Sequence, residues 1–259
     1  MQKPKTGSCR EILEDFYNFL KALPHSESID ALGKKPTQKG KQIADFFFLN
    51  RKITCEVKSL NRDTREKVER IIDSLRKRDD FPVFYGERNV KKILRHLYDG
   101  EETYKKIVYS VTSPIEDQIR DANRQIRDTR SLFQTQGSAG LIIMVNRLVD
   151  ILDARVIQWR IRQCLTKKRA DGAHGFECID AVWLIDEAHL LVVSEKDATP
   201  ILINIGGDGK QTKFVSDYIE YLSVQWATWN GRTVLTPPVE ILLNKGRFSP
   251  IRGTRRGHG

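Results

Sequence analysis

Apolar and polar residues follow helical or strand spacing along most of the chain. Apolar positions at three- and four-residue steps predict a helix over residues 9–23, which Pro24 ends. The same spacing predicts further helices over residues 65–78, 89–98, 114–133, 147–168 and 214–229, of which the third starts at Pro114. Short apolar or alternating runs predict strands over residues 42–49, 52–60, 105–111, 141–145, 181–185, 201–205 and 239–243. This mixture indicates the α/β class.

The first two predicted strands are separated only by the dipeptide Asn50-Arg51, which favours a hairpin with a two-residue loop. In that register one face is entirely apolar, as a face toward the core requires. Its pairs are Phe48 with Ile53, Phe46 with Cys55, and Ala44 with Val57. The other face is mixed, and there Asp45 lies directly opposite Glu56, with Lys58 two residues farther along.

Opposed carboxylates on neighbouring strands repel each other and destabilise the sheet unless a cation or a proton lies between them. Carboxylate oxygens suit Mg²⁺, or Mn²⁺ in its place, with waters and a substrate phosphate completing the shell. An ammonium such as that of Lys58 can orient or deprotonate an attacking water, or neutralise charge on the phosphate. Asp45, Glu56 and Lys58 therefore indicate a phosphodiester substrate.

Asp45, ten intervening residues and the tripeptide Glu56-Val57-Lys58 resemble the signature of the PD-(D/E)xK nuclease superfamily. Members share a restriction-endonuclease-like core, in which a helix, a three-stranded meander, a second helix and a further strand follow one another. The predicted elements at 9–23, 114–133 and 141–145 have a similar order. The resemblance implies that Asp45 and Glu56 are metal ligands and that Lys58 is the catalytic lysine. Ala44 departs from the pattern, because proline is the name-giving residue there.

The same resemblance implies additional site residues on the two helices. Many members carry a glutamate on the first helix, which nominates Glu11 as a further metal ligand, with Glu14 as the alternate. Glutamine on the second helix recurs in some branches, so Gln118 or Gln125 is expected to approach the site as an accessory residue.

The resemblance covers residues 7–146 and sets the expected domain organisation. We expect a nuclease-like core over residues 1–146, with a helical insertion at about 62–110. A C-terminal α/β extension packed on the core is expected over residues 147–244, followed by a basic tail over 245–259. The length of 259 residues is ample to bury a core.

The formal net charge of +10 fits a polyanionic partner. Four lysines precede the strand of Asp45 in a loop without acidic residues, and we expect them to contact phosphates. They are Lys34, Lys35, Lys39 and Lys41. The expected partner is nucleic acid, DNA in preference to RNA, and a homodimer is left open because cutting both strands often requires two copies.

No run of 18 apolar residues is present, so no membrane span is expected. The first ten residues lack the apolar segment of a signal peptide. The four cysteines have neither the density nor the close pairs of a disulfide scaffold or a zinc site, which indicates a reducing compartment, and we expect a cytoplasmic protein.

Two other functions fit parts of the sequence. A nucleic-acid-binding protein with the same fold but no catalysis would carry the same features. The segment Asp186-Glu187-Ala188-His189 follows an apolar strand and is similar to the strand-and-acid motif of nucleotide-driven motors. That motif requires an upstream phosphate-binding loop, whereas the nearest candidate, residues 206–212, comes afterwards and has Gln211 at the hydroxyl position.

Overall fold

The computed structural model describes residues 9–33, 42–61, 64–83, 93–147, 149, 154–193, 196–198, 201–205, 211–234 and 248–250. The helices of these ranges are α1 (Cys9–Ala22), α2 (Arg65–Leu75), α3 (Gly100–Phe133), α4 (Ala154–Thr166) and α5 (Thr212–Trp229). The strands are β1 (Ser26–Ser28), β2 (Phe46–Phe48), β3 (Ile53–Leu60), β4 (Ala139–Asn146), β5 (Ala181–Asp186), β6 (His189–Val193), β7 (Lys196–Ala198), β8 (Ile201–Ile205) and β9 (Phe248–Pro250).

A mixed sheet of six strands organises these elements in the order β1-β2-β3-β4-β5-β8. Strands β3, β4 and β5 run parallel, whereas β1 and β2 form an antiparallel edge and β8 pairs antiparallel with β5. Strands β7, β6 and β9 form a separate small sheet. The predicted α/β class is confirmed. Strands β5 and β8 belong to the expected C-terminal extension, yet they continue the sheet that carries β3.

Two clusters of buried apolar side chains lie on opposite faces of this sheet. The first packs β3, β4 and β5 against α3 and α4, as Ile142 and Ile119 illustrate. The second packs the other face against α1 and α5, with Phe16, Trp183 and Ile219 as members. Helices therefore cover both faces, and every residue of β4 and β5 is buried, as central parallel strands require.

The predicted hairpin register agrees with the structure, since Phe48 pairs with Ile53 and Phe46 with Cys55. The strands are joined by a turn over residues 49–52 in which Leu49, Asn50 and Arg51 have left-handed backbones. Strand β2 is shorter than predicted because the chain bends at Asp45.

That bend also corrects the predicted faces. Ala44 lies in the first apolar cluster, together with Phe47, and not beside Phe46 in the second. On the face that we predicted to be mixed, Phe47, Thr54 and Glu56 are buried, and Phe47 packs on Phe133 of α3.

The structure contradicts the predicted strand over residues 105–111 and the predicted helix start at Pro114. Both lie inside α3, which runs from Gly100 to Phe133 with Pro114 in its interior. Alternation of Ile107, Tyr109 and Val111 imitated a strand, but Ile107 and Val111 also have the four-residue spacing of a helix and are buried. Because this helix is held along its length by packing, it tolerates the backbone hydrogen bond that a proline forfeits.

Other predicted boundaries differ by several residues. The helix predicted from Arg147 begins at Ala154, since Arg147 lies in a bend after β4. Of the helix predicted over 89–98, residues 93–94 are helical and turns follow them, while 89–92 lie outside the described residues. The strand predicted at 239–243 also lies outside them. The region 62–110 contributes α2 and the first part of α3.

Candidate active site

Asp45 and Glu56 face each other across the hairpin. The amide of Asp45 donates to the carbonyl of Cys55 (3.1 Å), and the amide of Val57 donates to Asp45 Oδ2 (2.7 Å). Glu56, in the middle of β3, is 3% exposed. The hairpin backbone thus fixes Asp45 beside a carboxyl group that solvent barely reaches.

Asp45 makes the neighbouring Glu56 carboxyl group harder to ionise. Burial, and next the charge of Asp45, raise the pKa of Glu56 to about 8. Burial also raises the pKa of Asp45, although the Val57 amide and the Tyr17 hydroxyl oppose this effect. Glu56 Oε2 is buried and accepts no hydrogen bond within the described part of the chain. When both carboxyl groups are ionised, their two negative charges lie close together in a buried place, which is unfavourable.

Lys58 supplies one positive charge to the pair. Its Nζ donates to Glu56 Oε1 and to Gln125 Oε1, both at 2.7 Å. Gln125 lies on α3, and its amide also donates to the carbonyl of Ile43 (3.4 Å). The lysine is therefore held between the sheet and the helix, with its ammonium beside the carboxyl pair.

Gln118, the other glutamine considered, lies two turns earlier on α3. Its Nε2 donates to the carbonyl of Ser59 (2.8 Å), so it contacts β3 just beyond Lys58. Its Oε1 is buried without a hydrogen-bond partner among the described residues. Of the two glutamines, Gln125 contacts the lysine and Gln118 contacts the strand next to it.

Two residues that the sequence did not point to also position Asp45. The hydroxyl of Tyr17 on α1 donates a hydrogen bond to the Asp45 carboxyl group, while its ring packs on Phe46 with centroids 5.6 Å apart. Thr129 on α3 accepts a hydrogen bond from the amide of Ala44 (2.7 Å). Tyr17 occupied an ordinary position in an apolar helical stripe; its polar tip was the available signal.

Several predicted site residues are not located by the structure. Glu11 lies on α1, but its side chain is outside the described residues, whereas Glu14 is exposed on the same helix. The four lysines expected at phosphates all lie outside the described residues, in the segment 34–41. They are Lys34, Lys35, Lys39 and Lys41.

The carboxyl pair supplies part of the oxygen ligands that a divalent cation needs. Among the residues that the structure describes, no cluster of three His, Cys, Asp or Glu side chains could hold a metal ion. The pair itself offers hard oxygen donors, one of them buried and unpartnered, next to a second carboxylate. Mg²⁺ is commonly held by one or two carboxylates, with waters and phosphate oxygens as the other ligands, so the pair fits such an ion.

The second acidic motif has different surroundings. Asp186 is fully buried at the end of β5, where Asn146 Nδ2 donates to its Oδ1 (2.9 Å) and His189 Nδ1 lies 3.0 Å from its Oδ2. Glu187 forms an ion pair with Arg147 (2.7 Å). Both acids are thus engaged by neighbours from β4 and β6. The candidate phosphate loop, residues 206–212, lies largely outside the described residues.

Comparisons with known proteins give no relative. No family model, no curated protein and no solved structure matches the chain. None of the helices in the described ranges is long and apolar enough to cross a membrane.

Proposed function

We propose that this protein is a metal-dependent nuclease with a restriction-endonuclease-like core, which hydrolyses phosphodiester bonds of nucleic acid, DNA in preference to RNA. One observation carries the proposal: the buried carboxyl group of Glu56, whose pKa is raised by burial and by the charge of Asp45, contacts the ammonium of Lys58 on the same strand. Catalytic groups commonly have pKa values displaced by burial and by like charges, as this pair does.

Asp45 and Glu56 would hold Mg²⁺, or Mn²⁺ in its place, and a bound ion would supply a water of lowered pKa and polarise the phosphate. Lys58 Nζ would donate to a phosphate oxygen or to the attacking water, since its position beside Glu56 is fixed by Gln125. Tyr17 and the Val57 amide would keep the Asp45 carboxyl group oriented.

The setting of the protein supports this activity. Cys55, Cys164 and Cys178 are free thiols, which fits the cytoplasmic location that we propose. The net charge of +10 fits a nucleic-acid partner. The dependence of the cleavage rate on protein concentration would show whether cleavage requires a homodimer.

The test incubates purified protein with supercoiled plasmid and with single-stranded DNA, in Mg²⁺, in Mn²⁺ and in EDTA. Wild type, Asp45→Asn and Asp121→Asn are compared, the last being a matched control on the exposed side of α3. We expect metal-dependent cleavage by wild type and Asp121→Asn, and none by Asp45→Asn. Equal cleavage by Asp45→Asn would refute the site.

A binding protein without catalysis is the second candidate. The observation that favours it is the ligand count, because only two carboxylates meet in the described part of the site. Nucleic-acid affinity without cleavage under any divalent cation would support that function and reject the nuclease.

A further inference from the structure

One side of α4 is basic and aromatic. This helix contains three arginines and no acidic residue, and Lys167, Lys168 and Arg169 follow it directly. Arg155, Trp159 and Arg162 are exposed and are separated by four and three residues, so they share one side of the helix. Acid-free basic stretches on a surface favour polyanionic partners.

The tryptophan is held in place by a second aromatic residue. Trp159 packs edge-to-face on Tyr109 of α3, with ring centroids 5.4 Å apart. The Arg160 guanidinium lies 4.9 Å from the centroid of the Tyr109 ring and forms an ion pair with Glu116. Trp159 and Tyr109 nevertheless stay 37% and 44% exposed. Fixed, exposed rings lose little conformational entropy when a ligand stacks on them.

Charge around these rings is positive. Glu116, the acidic residue in contact with α4, is surrounded by Arg120, Arg160 and Lys167. The three cations hold the pKa of Glu116 below its usual value, with Lys167 making the largest contribution.

Helix α5 offers a contrast. It also exposes aromatic rings, including Trp229 at 47%, but it carries two acids, Asp217 and Glu220, against the single cation Lys213. Exposed aromatic area occurs on both helices, whereas arginines without any acidic residue in the same helix are found on α4.

We propose that Tyr109, Arg155, Trp159 and Arg162, the α4 patch, bind single-stranded nucleic acid, with a base stacked on Trp159 and phosphates against the two arginines. This inference rests on the proposed function, since it concerns the same class of substrate. Base stacking on aromatic side chains tolerates any sequence, and it requires bases that are not already paired and stacked in a duplex.

The test measures binding in EDTA, where cleavage is not expected, by the fluorescence anisotropy of a labelled oligothymidylate of about 20 nucleotides. Wild type, Trp159→Ala, Arg162→Gln and the control Trp229→Ala are compared, after circular dichroism has shown that each is folded. We expect Trp159→Ala to raise Kd about 5- to 100-fold and Trp229→Ala to leave it unchanged.

Arg162→Gln provides a test that does not disturb the packing of the rings. Removing one phosphate contact should reduce the slope of log K against log salt concentration by about 0.7 for a single strand. A duplex of the same length should bind with little dependence on Trp159.

Three results would contradict the proposal that the α4 patch binds single-stranded nucleic acid. Unchanged Kd in folded Trp159→Ala together with an unchanged salt slope in Arg162→Gln would reject it and leave the nuclease proposal intact. Equal loss of affinity for the duplex in Trp159→Ala would reject stacking on unpaired bases. Absence of any nucleic-acid binding by wild type would reject the patch and the proposed function together.

Discussion

Two acidic pairs lie on the central sheet, and their neighbours differ. At the end of β5, Asp186 is contacted by Asn146 and His189, and Glu187 pairs with Arg147. On the hairpin, the charge of Asp45 raises the pKa of Glu56, and Lys58 forms an ion pair with Glu56. Burial is similar, since Asp186 is fully buried and Glu56 nearly so.

The difference separates a structural role from a functional one. Burial raises the pKa of Asp186 as well, but His189 and Asn146 oppose this effect and give each carboxylate oxygen a polar neighbour, so Asp186 links β4, β5 and β6. Glu56 has an unpartnered buried oxygen and a pKa raised to about 8, so its ionised form weakens the fold. Proteins retain such a weakness where activity needs it.

Lys58→Ala should have the largest effect. Loss of the ammonium beside the carboxyl pair should lower the cleavage rate by about 10²–10⁴-fold, since a positioned acid–base group contributes on that scale. Affinity for DNA in EDTA should stay within a few-fold of wild type. Single-turnover cleavage and anisotropy measure the two quantities. Lys213→Ala, an exposed lysine on α5, is the control; wild-type cleavage by Lys58→Ala would show that the lysine is not catalytic.

Asp186→Ala should affect stability and not chemistry. It removes the partner of a buried histidine and a contact of Asn146, which should reduce the free energy of unfolding by about 2–4 kcal/mol in urea titrations. The cleavage rate per folded molecule should be unchanged. Loss of activity at unchanged stability would reverse the comparison and favour the nucleotide-driven alternative.

The sequence was sufficient to predict the hairpin, but it was not sufficient to predict the residues that contact it. Two strands joined by a tight turn, with alternating apolar residues, have one register that buries Phe46 and Cys55 together. Asp45 follows directly before this paired region, so the register brings it near Glu56. Strand β4 could also be predicted from the sequence, because a continuous apolar run is typical of a central parallel strand.

The missing parts depend on distant segments. Tyr17 reaches Asp45 because α1 packs across the second apolar cluster, and no local pattern fixes that approach. Asn146 meets Asp186 because β4 and β5 end side by side. The predicted helix start at Pro114 was wrong because it rested on the local preference of proline for the first turn of a helix. Packing along α3 overrides this preference.

Glu56→Gln should stabilise the protein while slowing cleavage. The folded chain keeps the Glu56 proton up to a pH of about 8, whereas an unfolded glutamate loses it near 4.5. Between these values the unfolded state binds fewer protons, so stability falls as pH rises, by up to about 1.4 kcal/mol per unit.

The glutamine variant removes that penalty. At pH 8 it should exceed wild type by up to about 4 kcal/mol in free energy of unfolding, and its stability should vary less between pH 5 and 8. Metal-free urea titrations at several pH values test this. Glu220→Gln on the surface of α5 should behave as wild type. If Glu56→Gln has a lower free energy of unfolding than wild type, Glu56 has a structural role like that of Asp186.

Tyr17→Phe should have the smallest effect and should sharpen the comparison most. The ring keeps its packing on Phe46, and only the hydrogen bond to Asp45 is lost, so cleavage should slow about 2- to 10-fold with stability within about 1 kcal/mol of wild type. Because that hydrogen bond lowers the pKa of Asp45, its loss should move the acid limb of the pH–rate profile to higher pH. An unshifted profile at a reduced rate would mean that the Tyr17 hydroxyl orients Asp45 without changing its pKa, and an unchanged rate would mean that Asp45 does not need this hydrogen bond.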